Sequence, residues 1–426
     1  MRSVVLIALV GCHAAEGGAR GTEGERVPPP RPEACQVVRP GDSLQAAVDS
    51  GAPVLCLEPG RHAGPVKIDR TVEVWGPRDA VIASAKGTTV LITGGGAKLV
   101  GVTVDGTGGS FDLLDAAVKV TGKDITVEGV TVINAVYGVL AEKSARVRIA
   151  GNHVHGDAET AMGLRGDTIR LWETHDSVVE DNDVEDGRDV VVWYSSRNRI
   201  TGNRIVRGRY GAHFMYSHDN IVQRNELRGG VVGIFSMYSR GLQIDHNVIV
   251  DAGGPAGMGI GLKESGNIVV EHNALVHDAV GIYIDTSPLQ LGDTLVIRDN
   301  VLRLDQAAFV FHSSAHRITI ADNDLADNVM QVRVDGGGTA VDVDWTGNYF
   351  DDYTGYDLDG DGRGDVPYEL RSASADLVSN HAQLALFRGT PALQLVDAAA
   401  HLDPLFQPPL VLRDSQPRMT PRQEVR

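Results

Sequence analysis

The chain of 426 residues is short of several residue types that characterise other classes of protein. It has 3 cysteines and no Cys-x-x-Cys spacing, so a preformed thiolate zinc site is not expected. Aromatic residues make up 5% of the chain, and no segment sustains the apolar period of a helix across its repeats. Acidic residues outnumber basic ones by 56 to 39, and the resulting net charge of −17 argues against a nucleic-acid partner. Cations or a basic protein surface suit this charge better.

Long apolar runs are also missing, and the run at the N-terminus is too short to span a bilayer. It follows Met1-Arg2 and ends in Leu9-Val10-Gly11-Cys12, which resembles the lipobox of exported bacterial lipoproteins. We therefore predict a signal peptide with a lipobox over residues 1–12, lipidated at Cys12, and a flexible Gly- and Pro-rich tether over 13–34. An ordinary secretory signal or a misplaced start is the alternative. With either signal the protein is exported.

The sequence does contain a repeat. Short runs with alternating apolar residues close repeatedly on an asparagine, and these asparagines lie 21 to 30 residues apart. They are Asn152, Asn182, Asn203, Asn225, Asn247, Asn273, Asn300, Asn323 and Asn348. One short coil per repeat, unable to bury its apolar face alone, is typical of a solenoid. Asn tolerates a left-handed backbone where the chain turns, and stacked Asn side chains can hydrogen-bond from coil to coil.

These patterns predict an all-β fold, a right-handed parallel β-helix, over residues 35–368. The amphipathic segment 42–50 predicts an N-terminal cap helix. Cys35 and Cys56 predict a disulfide that fastens this cap, since an exported protein meets an oxidising compartment. After residue 368 the repeat gives way to a helical, Pro-broken pattern. Residues 369–426 are therefore predicted to form an irregular or helical C-terminal tail that acts as a cap, a docking element or both.

The coils can be aligned on a serine that recurs in five successive repeats: Ser195, Ser217, Ser239, Ser265 and Ser287. Because strand side chains alternate, positions two and four before the serine share one face, and the more apolar positions between them form the core. The outward set places Met215 and Met237 one strand spacing apart, about 4.8 Å between backbones, with His213 beside Met215. Met258 and His312 are expected within reach of this outer face.

Two interpretations of this methionine-bearing face stay open. Thioethers commonly fill gaps under loops, or form an adaptable docking surface for another protein. Thioether with imidazole is also a soft ligand set that suits Cu(I), whereas carboxylates suit harder ions. On the second interpretation the candidate copper ligands are His213, Met215, Met237 and Met258. Of the remaining histidines, His153 and His155 are predicted to flank a turn, and His246 and His272, each just before a closing asparagine, are predicted to be solvated turn residues.

An acidic loop follows the last coil. Its carboxylates alternate with glycine, which resembles calcium loops of the Asp-x-Asp-x-Asp-Gly kind. The loop lacks the bidentate glutamate at the twelfth position, so a Ca²⁺-ordered loop and an ion-free acidic turn are both open. The candidate calcium ligands are Asp357, Asp359, Asp361 and Asp365. In either form the loop would close the open end of the β-helix.

Several phrases of the sequence resemble the NosD family, exported β-helix proteins of the CASH type that help to mature nitrous oxide reductase. They are Arg209-Tyr-Gly-Ala-His-Phe-Met-Tyr-Ser217, Phe235-Ser-Met-Tyr-Ser239, Met258-Gly-Ile-Gly-Leu-Lys-Glu-Ser265 and Gly347-Asn-Tyr-Phe-Asp-Asp-Tyr-Thr-Gly-Tyr-Asp-Leu-Asp-Gly-Asp-Gly362. The resemblance covers residues 40–412. It implies a periplasmic, non-enzymatic protein that works with an ABC transporter (permease plus ATPase) and a copper chaperone lipoprotein to load copper into nitrous oxide reductase.

The resemblance does not itself supply copper ligands, so the ligand set above depends on the stacking of the coils. Two features depart from the plain secretory signal expected of the family: the lipobox-like leader and the long tether. Both favour a form anchored to a membrane through Cys12 over free diffusion in the periplasm. Transient Cu(I), with a structural Ca²⁺ in the acidic loop, completes the ions that the sequence suggests.

The main competing function is a carbohydrate-active β-helix, either a polysaccharide lyase or a C5-epimerase. Lys263, Glu264, Tyr283 and Asp285 would line a groove for acidic sugars and supply general acid–base groups. Methionine and bulky apolar residues on the same groove, with the negative net charge, oppose this reading. A third possibility, a purely structural solenoid, predicts no concentration of Met and His on one face. The sequence therefore favours a maturation factor that handles Cu(I).

Overall fold

The structure, a computed structural model, describes residues 29–313, 316–336, 340–387, 390–402 and 408–422. The predicted signal peptide with Cys12, and residues 13–28 of the predicted tether, lie outside this part of the chain. Within it, short strands form three parallel sheets that wind into a solenoid of about 13 turns. The predicted β-helix is confirmed. No helix in the described ranges is long and apolar enough to cross a membrane.

Each full coil contributes one strand to each of three sheets, named A, B and C here. Sheet A has 16 strands, in spatial order Gln36–Val38, Val54–Leu57, Glu73–Trp75, Lys98–Val100, Thr126–Glu128, Arg148–Ala150, Val178–Glu180, Arg199–Thr201, Ile221–Gln223, Gln243–Asp245, Ile268–Glu271, Leu295–Arg298, Ile318–Ala321, Asp344–Thr346, Leu410–Asp414 and Tyr368–Arg371. Sheet B has 13, namely Gly60–Ala63, Ala80–Ala83, Thr103–Asp105, Thr131–Ile133, His153–His155, Asp183–Glu185, Arg204–Val206, Glu226–Arg228, Val248–Val250, Ala274–Val276, Val301–Arg303, Asp324–Ala326 and Tyr349–Phe350. Sheet C has 12, namely Val66–Ile68, Val90–Ile92, Ala116–Val120, Tyr137–Glu142, Ile169–Trp172, Asp189–Trp193, Tyr210–Met215, Val232–Met237, Met258–Lys263, Ile282–Asp285, Phe309–His312 and Val332–Asp335.

The core lies in the space that the three sheets enclose. Branched side chains of similar size recur at the inward positions, so successive coils stack side chain on side chain. The inward set predicted for sheet C is buried throughout: Val190, Ala212, Ile234, Ile260 and Ile282. Alternation then directs the residues between them to the outer surface, which is the basis for locating a site on sheet C.

The closing asparagines form a buried ladder along one edge of the solenoid. The Asn203 side-chain amide donates to Oδ1 of Asn225 on the next coil at 2.9 Å and to the carbonyl of Val179 on the preceding coil at 3.0 Å. The backbone N–H of Asn203 donates to the same Oδ1 at 3.0 Å. The predicted stacking is confirmed, but the left-handed residue is the one before each asparagine, such as Arg224 with φ 53°. Asparagine is required for its amide and not for its tolerance of the turn.

A second ladder, at the turn between sheets B and C, contains carboxyl groups. Asp278 Oδ1 accepts from Ala252 N at 2.7 Å, Asp305 Oδ1 accepts from Asp278 N at 2.8 Å, and Asn328 continues the row. The second carboxyl oxygens of both aspartates are buried without a hydrogen-bond partner. Burial raises the pKa of Asp278 to about 8 and that of Asp305 to about 9. Both carboxyls are therefore protonated at neutral pH, and each can act as a donor as the Asn328 amide does.

The N-terminal end is covered by the α-helix Leu44–Asp49, as predicted. Ser43 caps this helix by accepting from Ala46 N at 3.2 Å, and Leu44 and Val48 are buried. A disulfide joins Cys35 and Cys56. Because Cys56 lies in the second strand of sheet A, which pairs with the first, the disulfide fastens the first strand to the second.

The C-terminal end contains two different structures within the predicted tail. The helices Ala373–Asn380 and Pro391–Leu402, with the 3₁₀ segment Ala382–Phe387 between them, form a helical segment beside the last coil. Another 3₁₀ turn, Met162–Leu164, lies in an earlier loop. Strand Leu410–Asp414 then returns to sheet A and pairs antiparallel with Tyr368–Arg371. Part of residues 369–426 is therefore integral to the solenoid.

The returning strand closes the asparagine ladder. Asp414 accepts from the backbone N–H and from the side-chain amide of Asn348, both at 2.9 Å. Arg418, 6% exposed, donates to the carbonyl of Gly347 at 2.7 Å and pairs with Asp324 at 2.5 Å. The last rung of the ladder is thus satisfied by a segment far along the chain.

We expect Asp305→Asn to stabilise the fold at neutral pH and above. The carboxyl titrates near 3.8 when unfolded and near 9 when folded, so the folded state holds the extra proton between these values. The free energy of unfolding then falls as pH rises through this window, by up to about 1.4 kcal/mol per pH unit. Asparagine has no proton to lose and supplies an amide donor.

Denaturant unfolding at pH 5 and pH 8 would measure this effect. The variant should gain stability relative to wild type as pH rises, whereas the change Asp112→Asn, at an exposed position, should follow wild type. Equal pH dependence in the Asp305 variant and wild type would contradict a protonated carboxyl in the ladder.

Candidate metal site on the outer face of sheet C

The register of sheet C arranges the outward side chains in rows. Met215 pairs directly with Met237 across adjacent strands, and His213 pairs with Phe235. Trp193 precedes Met215 in the same row. The alignment predicted from the serines is therefore correct, and the two methionine backbones lie one strand spacing apart, about 4.8 Å.

The methionine row has an aromatic end and an ionic end. Both thioether side chains are partly exposed. On one side Trp193 lies between Met215 and the ring of Trp172, with the two indole centroids 5.6 Å apart. On the other side Met237 pairs with Lys263, whose Nζ lies 3.6 Å from a carboxylate oxygen of Asp285. The soft donors thus occupy a short stretch between an aromatic wall and an ion pair.

His213 points outward but is covered by aromatic rings, and only 5% of it is exposed. Its ring centroid lies 4.7 Å from Tyr210, 5.3 Å from Trp193 and 5.9 Å from Phe235. Burial lowers the pKa of His213 to about 4, so the imidazole is neutral at physiological pH. Its Nδ1 accepts a hydrogen bond from Trp193 Nε1 at 3.3 Å, whereas Nε2 is buried with no partner.

This arrangement determines how the imidazole can bind a metal ion. A neutral ring whose Nδ1 accepts a hydrogen bond carries its proton on Nε2. Binding through Nε2 requires that proton to move to Nδ1, which ends the bond from Trp193. Binding through Nδ1 replaces the same bond directly. In both cases Trp193 competes with the metal ion for His213.

Met258 lies on the same outer side, but at the start of its strand and outside the methionine row. It begins its strand opposite Val232, so no methionine pairs with it. A Cβ at Gly261 would lie 2.5 Å from both the Met258 sulfur and the Phe235 ring, which shows that these groups fill the space above that glycine. Phe235 also stacks on His213, so its ring separates His213 from Met258.

The structure therefore brings three of the four candidate copper ligands together: His213, Met215 and Met237. Met258 packs instead against an apolar cluster that contains Val280 and Val310. His312 pairs with Asp285 at the far, ionic end of the row and is not beside the methionines.

The donor set fits a soft monovalent ion. Two thioethers and one neutral imidazole lie on one face, and an orphaned buried ring nitrogen is present. Such donors suit Cu(I), and the flexible methionine side chains allow both sulfurs to approach one ion.

Sequence reasoning missed the row of stacked tyrosines beside this face. The rings of Tyr194, Tyr216 and Tyr238 stack with centroids 5.3 Å and 4.8 Å apart, and Tyr194 and Tyr216 are 42% and 44% exposed. The sequence contains the signal for this row, since a tyrosine immediately precedes the aligned serine in three successive repeats. The structure adds an exposed aromatic ridge to the rim of the site.

The acidic loop brings three of its four predicted ligands together. One carboxylate oxygen of each lies within 4.8 Å of the others in the group Asp357, Asp359 and Asp361. Asp357 accepts from the backbone N–H of Gly362 at 2.8 Å, which lowers the pKa of Asp357. Asp365 instead accepts from Leu358 N at 2.6 Å. The loop conformation is held by these bonds from its own backbone.

Two residues of the competing carbohydrate groove, Lys263 and Asp285, are paired with each other. Lys263 pairs with Asp285, and Asp285 also accepts from the hydroxyl of Thr286 at 3.0 Å. Burial, followed by the charge of Asp285, raises the pKa of Tyr283 to about 12, so its hydroxyl is a poor base at neutral pH. These contacts do not support general acid–base catalysis in this groove.

Fold and site together define a parallel β-helix protein with soft metal donors on one outer sheet. Residues 150–355, which contain that whole face, match the family model described as "Periplasmic copper-binding protein (NosD)". Two proteins named "Probable ABC transporter binding protein NosD" are similar along most of their length. The Pseudomonas aeruginosa protein is 27% identical over 413 residues, 85% of this chain and 87% of the relative. The Stutzerimonas stutzeri protein is 25% identical over 412 residues, 85% and 86%. The family model and the two relatives together support membership of the NosD family.

Solved structures share the fold. The catalytic unit of a GH87 α-1,3-glucanase from Streptomyces thermodiastaticus superimposes with a TM-score of 0.59 over 78% of this chain and 72% of the glucanase, at 14% identity. At that identity the likeness shows the β-helix architecture alone.

Proposed function

We propose that this protein is a periplasmic, non-catalytic accessory factor in the maturation of nitrous oxide reductase. It holds Cu(I) transiently and couples an ABC transporter to copper insertion. A copper chaperone lipoprotein supplies the ion, and Cys12 anchors the chain to a membrane through the tether 13–34. The observation that carries the proposal is the adjacency of Met215 and Met237 beside a neutral, buried imidazole. The description of the family model and the names of the two relatives support it.

The chemistry of the face suits a cargo that must be released. Thioethers discriminate for Cu(I) against the harder ions of the periplasm. Trp193 already occupies one nitrogen of His213, so copper must displace a hydrogen bond in order to bind. The affinity for Cu(I) is therefore lower than the donor set alone would provide. When copper leaves, the imidazole can again accept the hydrogen bond from Trp193.

We expect the double change Met215→Leu and Met237→Leu to abolish competitive Cu(I) binding. Leucine keeps the apolar volume while removing the sulfur donors, so the fold should remain intact. The measurement is an anaerobic Cu(I) titration of the full chain against a chromophoric chelator. Wild type should withdraw one equivalent, and Met162→Leu, in a loop away from this face, should behave as wild type.

Single variants then define the ligand set. His213→Ala should weaken binding if the ring nitrogen is a ligand. Met258→Leu should weaken it only if copper displaces the Phe235 ring and recruits the fourth predicted donor. Undiminished binding in the Met215 and Met237 double variant would refute the site and leave the methionines as packing or docking residues.

We assign docking on the transporter to the helical segment Ala373–Leu402. Large apolar side chains are exposed on it, namely Leu386, Phe387, Leu395 and Leu402. A cavity of about 1090 Å³ lies beside this segment, with Val332, Tyr368 and Val378 among its lining residues. The segment therefore packs incompletely on the solenoid and presents an apolar surface, as a partner-binding element does.

Replacing residues 373–408 with an Asn-Gly turn should abolish co-purification with the ABC transporter. The bond from Ser372 N to the Pro409 carbonyl, 3.2 Å, shows that the flanking strands already meet as a hairpin, so a two-residue turn can join them. The solenoid keeps Asp414 and its ladder, and its circular dichroism and unfolding midpoint should be retained. Leu291→Glu, at an exposed loop elsewhere, is the matched surface control. Retained co-purification would contradict this assignment.

We also propose a structural Ca²⁺ in the acidic loop. Converging carboxylate oxygens from Asp357, Asp359 and Asp361 support it, since Ca²⁺ prefers oxygen ligands. Millimolar Ca²⁺ should raise the unfolding temperature of wild type and leave that of Asp359→Asn with Asp361→Asn unchanged. Equal shifts in both proteins would indicate an ion-free acidic turn.

A further inference from the structure

Sheet B carries a second group of metal-ligating side chains. His153 and His155 lie in one strand, and the register pairs them with Asp183 and Glu185 on the next coil. The residue between the two histidines, Val154, is fully buried in the core, so alternation directs both imidazoles to the outer face. His153 and His155, predicted only to flank a turn, are the two ends of the strand His153–His155. A His-x-His phrase within a strand places two rings on one face, as a turn does not.

The four side chains converge. His155 Nδ1 lies 2.7 Å from Glu185 Oε1, and His153 Nδ1 lies 3.5 Å from Asp183 Oδ2. His153 Nε2 is 4.0 Å from the same Glu185 oxygen. The two imidazole centroids are 4.0 Å apart, with the rings nearly perpendicular. One nitrogen from each histidine and one oxygen of Glu185 all lie within 4.8 Å of one another.

Two arginines on the following coil orient the carboxylates. Arg207 donates to Glu185 Oε2 at 2.8 Å, and Arg204 donates to Asp183 Oδ1 at 2.9 Å. Each carboxylate therefore has one oxygen held by a guanidinium and the other directed at an imidazole. Outer partners that fix the orientation of ligand side chains are a regular feature of protein metal sites.

We propose that His153, His155 and Glu185 bind a divalent transition-metal ion of the class of Zn²⁺ and Cu²⁺, while Asp183, next to Nδ1 of His153, orients that imidazole. Two imidazoles and one carboxylate are a ligand set that such borderline ions favour. Metal bonds of about 2.0–2.2 Å place tetrahedral ligand atoms roughly 3.4 Å apart, so the histidine–glutamate contact need open by less than about 1 Å.

The site differs from the proposed Cu(I) site in position and in chemistry. It lies on another sheet, contains no thioether, and therefore does not favour a soft monovalent ion. An ion bound here would tie two consecutive coils together at the strand that leads into the loop containing Met162–Leu164. The inference does not depend on the proposed role in copper delivery.

The chain provides its own control. Asp245, His246 and His272 also place two imidazoles near one carboxylate, with 2.6 Å and 3.2 Å from the ring nitrogens to Asp245 Oδ1. Both of these histidines lie at turns and not in a strand, and their backbones are left-handed, with φ 53° and 54°. Their removal matches the chemical change made at the proposed site without touching it.

The test is a titration of the metal-free full chain with Co²⁺ and then Zn²⁺. One equivalent of Co²⁺ should produce the visible absorption of a tetrahedral site, and Zn²⁺ should displace it. His155→Ala and Glu185→Gln should each weaken Co²⁺ binding by more than the roughly 10–100-fold that loss of an outer partner costs, and Arg207→Leu should fall within that range.

The combined change His246→Ala and His272→Ala should leave the Co²⁺ spectrum and affinity unchanged, as should the Met215 and Met237 double variant. Binding that persists in His155→Ala, or that disappears in the His246 and His272 variant, would overturn the proposal. Circular dichroism of each variant confirms that the coils remain folded, so a lost spectrum reports a lost ligand.

Discussion

The asparagine ladder is the interaction on which the rest of the structure depends. Each rung joins three coils. The side-chain oxygen of an asparagine accepts from the preceding asparagine, and its side-chain nitrogen donates to the following asparagine and to a strand carbonyl of the preceding coil, as at Asn203. An amide is the group that can accept and donate at once in a buried position, and a missing partner there costs about 1–3 kcal/mol. The ladder therefore fixes the phase of every coil relative to its neighbours. Without that phase, Met215 would not lie beside Met237.

Much of this architecture could be predicted from the sequence, because a solenoid converts sequence period directly into spatial proximity. The aligned serines predicted the pairing of sheet C correctly, and alternation predicted its buried set. Contacts between side chains in different rows of sheet C were harder to predict. The burial of His213 arises from Tyr210, at the start of its strand, and from rings on both adjacent coils. Met258 is displaced because Gly261 leaves room for its thioether, a packing detail that no period contains.

Two features missed by sequence reasoning have a common physical origin. The prediction that His153 and His155 flank a turn did not reveal that they belong to one strand, which pairs with Asp183 and Glu185 on the next coil. The tail beyond residue 368 lost the repeat, which hid the strand Leu410–Asp414 that returns to sheet A. In both cases the local sequence pattern does not show which strand of another coil the segment pairs with, and this pairing determines the structure.

The outer surface of the solenoid places different sets of donor side chains on different sheets. Sheet C presents thioethers and a neutral imidazole under aromatic cover, whereas sheet B presents imidazole with carboxylate in the open. A rigid scaffold keeps such donor sets apart, since neither sheet can bend to share ligands with the other.

Asp414 has a consequence for how the chain is made. A solenoid can fold coil by coil from its N-terminal end, because each coil needs only the one before it. The last rung is different, since Asn348 donates to the carboxylate of Asp414, which lies 66 residues further along the chain. When the chain folds from its N-terminal end, the coils can assemble one after another, but the last rung stays unsatisfied until the strand Leu410–Asp414 is available. The end of the stack therefore forms by a long-range contact, whereas every earlier rung forms between neighbouring coils.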